Sequence, residues 1–196
     1  MPESEMTGNL FFFAKSEVTA TALVTEKKRA EARLVEKVCA GDDTAFGEFY
    51  KLFAPLVHGI ILARVRRDEV ADIVQEVFLS AYKNLHTIRD KTAVGAWLAM
   101  IARNQATEFY RREKPTEELS ETLRQKENPN TEAREILRAI RDLPETYRET
   151  LVLRLVEGMT GIEIAERTNL TPESVRVNLH RGMKLLRQKL GIKEQK

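Results

Sequence analysis

Basic side chains near the C-terminus are the residues of this chain best suited to bind a polyanion. Arg176, Arg181, Lys184 and Arg187 follow one another at intervals of three to five residues. In a helix these intervals place them on the side opposite an apolar stripe. The segment 172–196 holds seven Lys and Arg residues against two Glu, a formal charge of +5, whereas the whole chain carries +2. This concentration of charge indicates binding to nucleic-acid phosphates.

Two helices joined by a tight turn are predicted to position these cations. Thr160 is suited to cap the first helix and Asn169 to end it, while Thr171 and Pro172 are suited to cap and begin the second. The pattern is typical of a helix-turn-helix, whose second helix enters the major groove of DNA. The bland alternative is a solvated amphipathic helix at a chain end, which would not need the capped turn. The residues predicted to contact DNA are Thr171, Glu173, Ser174, Arg176, Val177, His180, Arg181 and Lys184.

The composition limits the class of protein. The chain has 196 residues, of which 42% are hydrophobic and 32% charged, as in soluble helical proteins. We expect no stretch long and apolar enough to span a bilayer, and hence no membrane insertion. The segment before Phe11 is acidic where a secretory signal would be basic. These features predict a cytoplasmic protein.

Residue types that support catalysis or metal binding are sparse. Cys39 is the single cysteine, which excludes a disulfide framework, and its apolar neighbours predict that it is buried. The three histidines are scattered at spacings that match no metal motif, and no glycine-rich phosphate loop is present. We therefore expect no metal site, no cofactor, no catalytic residues and no enzymatic activity.

Apolar periodicity predicts an all-α fold with two small helical domains. The expected division is a mobile extension over 1–25, a first domain over 26–113, a flexible linker over 114–131 and a helix-turn-helix domain over 132–196. In the first domain we expect Pro55 to kink or divide the second helix and Asp68 to cap the third. A linker of about 18 residues reaches at most roughly 60 Å, or about 18 base pairs of DNA.

Three ordered segments resemble a known family. They are DEVADIVQEVFLSAY (68–82), AWLAMIARNQATEFYRRE (96–113) and the stretch from LPETYRETL to LLRQKL (143–190). Together they resemble bacterial RNA polymerase sigma factors of the extracytoplasmic-function type. The resemblance implies a domain that binds core RNA polymerase and the minus-10 promoter element, joined to a domain that binds the minus-35 element. It also implies an anti-sigma factor as a partner that clamps both domains.

The resemblance and the residues agree on the third helix. Its outward face combines acids, an amide and one exposed leucine, a mixture suited to docking on another protein. In the family this helix binds the largest polymerase subunit. The residues predicted to bind core polymerase are Asp72, Gln75, Glu76 and Leu79.

The fourth helix and the loop before it correspond to the part of the family that melts the minus-10 element. Capturing unpaired bases requires stacking surfaces and cations along the strand. The residues predicted by this resemblance to contact the minus-10 element are Asn84, His86, Arg89, Arg103, Asn104, Thr107, Tyr110 and Arg111.

Promoter-directed initiation is therefore the predicted function, with promoter DNA and core polymerase as partners. The alternative is a self-sufficient helix-turn-helix regulator that dimerises on a palindrome. The upstream domain argues against it, because that domain has a protein-docking face and no evident ligand pocket or heptad seam. A nucleic-acid enzyme would need carboxylate pairs or metal ligands in a recognisable motif, which the sequence lacks.

Overall fold

The computed structural model describes residues 25–113 and 131–192, so the predicted extension and most of the predicted linker lie outside the described residues. The described residues contain helices and turns and no strand, which confirms the all-α prediction. The helices are α1 (25–39), α2 (Asp43–Leu62), α3 (Val70–Asn84), α4 (Val94–Glu113), α5 (Thr131–Arg141), α6 (Glu145–Leu155), α7 (Gly161–Thr168) and α8 (Pro172–Lys189).

Helices α1 to α4 form the first unit. Gly41, at a φ of 87°, ends α1, and the Asp42 carboxylate accepts a hydrogen bond from the Ala45 amide to cap α2. Helix α2 packs on both α3 and α4, with aromatic rings filling the space between α2 and α3. The ring centroids of Phe49 and Phe53 lie 4.9 Å apart. This aromatic core fixes the orientation of α3 and α4, which carry most of the predicted contacts of the first unit.

The cap predicted for α3 was wrong, and Pro55 does not divide α2, although a kink there stays a prediction. Helix α2 continues through Pro55, because its missing hydrogen bond would engage the carbonyl of exposed Lys51, which can face water. Asp68 does not cap α3. Its carboxylate accepts two hydrogen bonds from Arg66, at 2.6 and 3.3 Å, and lies in a single 3-10 turn before α3. The pair occupies both oxygens of the Asp68 carboxylate.

The prediction for Cys39 was also wrong, since the thiol is exposed. The inner side of α1 carries Glu31, Val35 and Val38. Cys39 follows Val38 by one residue, and a rotation of 100° turns it away from the core.

Within residues 25–113 and 131–192, one helix has the length and composition of a membrane span, contrary to expectation. It is α2, whose most apolar window is half buried inside the protein. Its apolar residues, including Phe49, Phe53 and Ile60, are enclosed by neighbouring helices. The apolar content of α2 is therefore accounted for by its central place in the core.

Helices α5 to α8 form the second unit and contain the predicted helix-turn-helix. The Thr160 hydroxyl accepts from the Glu163 amide, and the Glu163 carboxylate accepts from the Thr160 amide, which completes a capping box at the start of α7. Asn169 ends α7 in the left-handed region at a φ of 62°. Thr171 caps α8 and Pro172 opens it, as predicted.

The two units share one apolar core. Buried residues run continuously from Val35 in α1 to Leu186 in α8. Helix α6 is the junction, because it packs on α8 within the second unit and on α2 of the first. Its five consecutive residues 149–153 are all buried, which requires cover on more than one side of the helix.

We expect Glu163→Ala to lower the free energy of unfolding by about 1 kcal/mol at neutral pH, the usual value of a helix cap. Hydrogen bonds from the Thr160 amide and from Lys27 lower the pKa of Glu163 to about 2. Because the folded pKa lies below the unfolded one, this stabilisation is complete above about pH 4.5 and is lost as the pH falls towards 2. Urea unfolding between pH 2.5 and 7 measures both effects.

Glu163→Gln is the matched control for this prediction. An amide oxygen at the same place still accepts the Thr160 amide proton, and it does not titrate. Its stability at pH 7 should lie closer to wild type than that of Glu163→Ala, with a weaker acid dependence. Equal losses in the two variants would show that the negative charge of Glu163, and not its hydrogen bond to the Thr160 amide, supplies the stabilisation.

Candidate nucleic-acid interface

The outward face of α8 is a continuous basic surface. Arg176, Arg181 and Lys184 are exposed, and among the described residues no carboxylate lies within ion-pair distance of any of them. Val177 is 40% exposed between the arginines, and His180 lies beside it. Unpaired cations beside a small apolar side chain suit contacts to phosphates, guanine and a thymine methyl group.

Two of the polar side chains at the start of α8 are hydrogen-bonded to each other. The Thr171 hydroxyl donates to the Ser174 hydroxyl at 2.9 Å and accepts from the Ser174 amide at 3.1 Å. Glu173 is exposed in the same turn. These three residues form the N-terminal end of the reading face.

The opposite side of α8 fixes this orientation. Val175, Asn178, Gly182 and Leu186 are buried and recur every three or four residues. Gly182 lets α8 approach α6 closely, since a Cβ atom there would lie 3.0 Å from Leu151 Cδ1. Leu179, Met183 and Leu190 of the apolar stripe are only partly buried. The line of buried residues on α8 is therefore rotated slightly around the helix axis from the apolar stripe that the sequence suggests.

Four of the residues expected at the minus-10 element lie along α4. Asn104, Thr107, Tyr110 and Arg111 are exposed on successive turns. Their polar groups are partly engaged, because the Thr107 hydroxyl donates to the Arg103 carbonyl at 2.9 Å, the Tyr110 hydroxyl to the Arg64 carbonyl, and Arg111 to Glu108 at 2.9 Å. They form one exposed polar strip along this helix.

Three more of the expected residues, Asn84, His86 and Arg89, lie at the end of α3 and between α3 and α4, whereas Arg103 lies on α4. Asn84, the last residue of α3, donates to the Ser80 carbonyl at 2.8 Å and is followed by a 3-10 turn, Leu85–Thr87. His86 and Arg89 are exposed, whereas Leu85 is buried and anchors the turn. The segment is therefore an anchored turn with exposed polar tips.

Arg103 differs from its neighbours because it is bound to the second unit. Its Nε and terminal nitrogen donate to the two oxygens of Glu149, at 3.1 and 2.6 Å. Arg64 approaches the same carboxylate at 2.7 Å. Burial alone would raise the pKa of Glu149, but the hydrogen bonds from Arg103 and the charge of Arg64 outweigh it and hold the pKa below its usual value. Glu149 is thus an anion shared by two arginines.

A second cluster of charges joins the units around Arg167 of α7. Its guanidinium donates to the Leu52 carbonyl at 3.1 Å, lies 3.5 Å from Glu31, and stands 5.2 Å from the centre of the Phe53 ring. Burial raises the pKa of Glu31, and the charge of Arg167 opposes that shift. Lys27 and Glu163 add a partly exposed ion pair at 3.0 Å.

The outward face of α3 is available for a protein partner. Asp72, Gln75 and Glu76 are exposed, and Leu79 is 54% exposed. The side of α3 that carries Ile73, Val77 and Ala81 is buried against α2 and α4. The predicted face is therefore an acidic surface with one large apolar side chain.

The residues that join the two units were missed at the level of sequence. They are Glu31, Arg64, Glu149 and Arg167, together with Gly59. One signal was present, since Glu149 stands two residues before the apolar run Leu151–Leu153 on the same helix. A charged residue among buried positions indicates a buried ion pair, but its partners lie 46 and 85 residues away in sequence.

The grouping of side chains suits nucleic-acid and protein binding. No three His, Cys, Asp or Glu side chains are grouped to hold a metal ion within residues 25–113 and 131–192. Cations, amides and hydroxyls dominate the exposed faces of α4 and α8. These groups bind phosphates and base edges.

Comparison with known proteins identifies both units. A family model described as Sigma-70 region 2 matches residues 49–116, and one described as Sigma-70, region 4 matches residues 133–186. The RNA polymerase sigma factor SigZ of Bacillus subtilis is 32% identical over 127 residues, which cover 62% of this chain and 72% of that protein. The ECF RNA polymerase sigma-E factor of Haemophilus influenzae is 28% identical over 176 residues, which cover 80% of this chain and 93% of that protein.

A solved structure agrees on the fold. It is that of the sigma factor RpoE in complex with the anti-sigma factor NepR from Bartonella quintana, with a TM-score of 0.54 and 17% identity over 76% of this chain and 98% of that one. Each unit is also matched by its own family model, and SigZ, at 32% identity, is covered over 72% of its length. The chain therefore belongs to the bacterial RNA polymerase sigma factors of the extracytoplasmic-function type.

Proposed function

We propose that this sigma factor divides promoter recognition between its two units. The exposed face of α8 reads the minus-35 element, and the segment from Asn84 to Arg111 binds and helps to melt the minus-10 element. The outward face of α3 binds core RNA polymerase. The observation that carries the proposal is that the exposed polar faces lie on units matched by different family models. The region 2 model matches the unit that presents α3 and α4, and the region 4 model matches the unit that presents α8.

The unpaired arginines of α8 support the first assignment. Arg176 and Arg181 lie in the first three turns of the helix, the part that reaches base edges in helix-turn-helix proteins. Their neighbour Val177 offers an apolar contact for a thymine methyl group. Lys184, one turn further on, is placed to bind a phosphate.

We expect Arg181→Ala to weaken binding to the minus-35 element by about 1 to 3 kcal/mol, the value of one lost base contact. Lys189→Ala is the matched control, since it removes a cation from the last turn of the same helix, where Lys189 pairs with Asp142. Fluorescence anisotropy with a labelled duplex that carries the minus-35 element measures the DNA affinity of both variants. Equal losses in the two variants would show that Arg181 supplies only general charge.

The acidic face of α3 should govern affinity for polymerase. We expect Asp72→Lys to lower affinity for core polymerase at least tenfold, because reversing a charge in a complementary interface places like charges together. Asp43→Lys on α2 makes the same change at another exposed helical position. Surface-immobilised core polymerase measures both affinities. Unchanged binding of Asp72→Lys would exclude this face.

In vitro transcription tests the function as a whole. The purified chain is added to core polymerase with a library of promoter fragments, and start sites are mapped. We expect initiation at sites that share two elements. Protection of a two-fold symmetric site by the chain alone, without specific initiation, would instead favour a self-sufficient regulator.

The proposal includes the setting in which the chain works. It acts in the cytoplasm as a specificity subunit without enzymatic activity of its own. An anti-sigma factor is its third partner, as the name of NepR states for the sigma factor of similar fold. Co-purification from the native cell and identification of bound proteins by mass spectrometry tests this assignment.

A further inference from the structure

A groove with an apolar floor lies between α1 and α2 on the surface of the first unit. The floor is formed by Ala30 and Leu34 of α1 and by Leu52 of α2. The two leucines are half-buried and pack against the core from its outer side. The groove has a volume of about 410 Å³, and small-ligand sites have roughly 300 to 1,000 Å³. It therefore suits a few apolar side chains of a peptide and not a globular protein.

The segment that precedes α1 carries side chains that match this floor. Phe11, Phe12 and Phe13 are consecutive in the sequence and belong to residues 1–24, which lie outside the described residues. A phenylalanine is stabilised by leaving water, because its side chain buries about 150 to 250 Å² of surface. Three adjacent phenylalanines therefore favour an apolar surface that lies within their reach.

The length of the intervening chain allows this contact. Residues 14–24 separate Phe13 from Thr25, the first described residue, and span at most roughly 40 Å. The groove extends along α1 from Lys27 to Lys37, a rise of about 15 Å. A short flexible tether gives the phenylalanines an effective concentration in the millimolar range. A second copy of the chain at micromolar concentration competes poorly, so the segment of the same chain is the favoured occupant.

Charges on the rim of the groove complement those of the segment. Arg33 and Lys37 are exposed on the rim, and among the described residues no carboxylate pairs with either of them. Of the two acids that line the groove, Glu31 faces Arg167 at 3.5 Å, which leaves Glu48. The segment has three acids against one lysine, and the acids lie on both sides of the phenylalanines: Glu3, Glu5 and Glu17. Opposite charges of this kind guide a segment into its site and fix its direction.

We propose that Phe11 to Phe13 dock in the groove between α1 and α2 of their own chain, with residues 14–24 as the tether. The flanking acids then lie beside Arg33 and Lys37. The docked segment runs antiparallel to α1, because the tether starts at the first turn of that helix and must turn back along it. The docking goes beyond the proposed function, which assigns no role to this surface.

The native cysteine supplies the probe for a test in the full chain. Cys39 is the single cysteine, is exposed, and follows Lys37 at the end of the groove by two residues. A nitroxide attached to Cys39 broadens the amide NMR signals of residues that come close to it. We expect a greater loss of signal for residues 3–13 than for residues 18–24, although the latter lie closer to α1 along the chain. The reverse order would refute the docking.

Two matched pairs of variants test the contact from both sides. Serine at all three phenylalanines should abolish the preferential loss of signal, whereas leucine at the same positions should retain it, since leucine is apolar. Ala30→Glu places a carboxylate at an exposed position of the groove floor and should also abolish the loss. Thr44→Glu adds the same group at an exposed position of α2 outside the groove and should not. A preferential loss that survives the serine variant or Ala30→Glu would overturn the proposal.

A mixed sample identifies the chain that supplies the segment. Isotope-labelled Cys39→Ser chain, which cannot carry the nitroxide, is combined with nitroxide-labelled chain without isotope. We expect no preferential loss of signal for residues 3–13 in this mixture. Such a loss would show that a second copy fills the groove, contrary to the proposal. Neither DNA nor polymerase is present, so failure of the docking leaves the proposed function intact, and failure of specific initiation leaves the docking intact.

Discussion

Gly59→Leu is expected to separate the two units while leaving each of them folded. A Cβ atom on Gly59 would lie 2.7 Å from Leu153 Cδ2 and 2.9 Å from Glu157 Cγ, both in the second unit. Overpacking of this kind costs typically 1 to 3 kcal/mol. A cost of this size shifts the equilibrium towards an arrangement with separated units by about fivefold to 160-fold.

The same substitution favours helix α2 itself. Glycine inside a helix is less favourable than most residues by roughly 0.5 to 1 kcal/mol, because it loses more backbone entropy. We therefore expect unchanged helicity in circular dichroism, together with a larger radius of gyration in small-angle X-ray scattering. Loss of helicity in parallel with expansion would instead indicate unfolding.

Gly47→Leu is the matched control for Gly59→Leu. Gly47 belongs to the same helix, and a Cβ atom there meets nothing within 4 Å. The substitution brings the same gain in helix propensity without a contact to the second unit. An equal radius of gyration in the two variants would show that Gly59 is not needed for the close approach.

Gly182→Val is expected to destabilise the second unit and abolish recognition of the minus-35 element. A Cβ atom on Gly182 would lie 3.0 Å from Leu151 Cδ1 and 3.1 Å from Tyr147 Cβ. The Tyr147 atom is fixed close to its backbone and cannot move aside as a side-chain end can. A branched side chain must push α8 away from α6, at a cost of roughly 1 to 3 kcal/mol or more. Because small domains have little stability to spare, we expect much of the second unit to unfold.

Binding to a minus-35 duplex and thermal unfolding measure this effect together. Gly161→Val is the control, because a Cβ atom there lies 3.8 Å from Val175 Cγ1, an ordinary contact distance. We expect it to keep most of the stability and DNA binding. Intact DNA binding by Gly182→Val would show that α6 and α8 can separate without loss of the reading face.

Local signals in the sequence predicted the helix-turn-helix with accuracy. Thr160, Asn169, Thr171 and Pro172 each act on their own backbone and nearest neighbours, so their effect is readable without the fold. The exposed faces of α3 and α8 followed from helical periodicity in the same way. The roles of these faces came from the family resemblance and stay predictions at the level of single residues.

Failures of prediction occurred where a distant or competing partner decides the outcome. Asp68 is a residue type that often caps helices, but its carboxylate accepts hydrogen bonds from Arg66 instead. The ion pair of Arg103 was not predicted, because its partner Glu149 lies 46 residues further along the chain, and the predicted DNA contact of Arg103 stays a prediction. Periodicity reports which side of a helix is apolar. It does not report which of two polar partners a side chain meets.

The double burial of α6 has a consequence for building chimaeras from this family. Residues 149–153 pack at once on α8 and on the first unit, so the region from 133 to 186 is not an interchangeable module. Grafting the corresponding region of another sigma factor onto α1 to α4 would replace α6 with a helix whose buried side chains do not match the surface of α2. Such a hybrid is expected to lose the close packing of α6 on α2, so that its two halves fold without a common core.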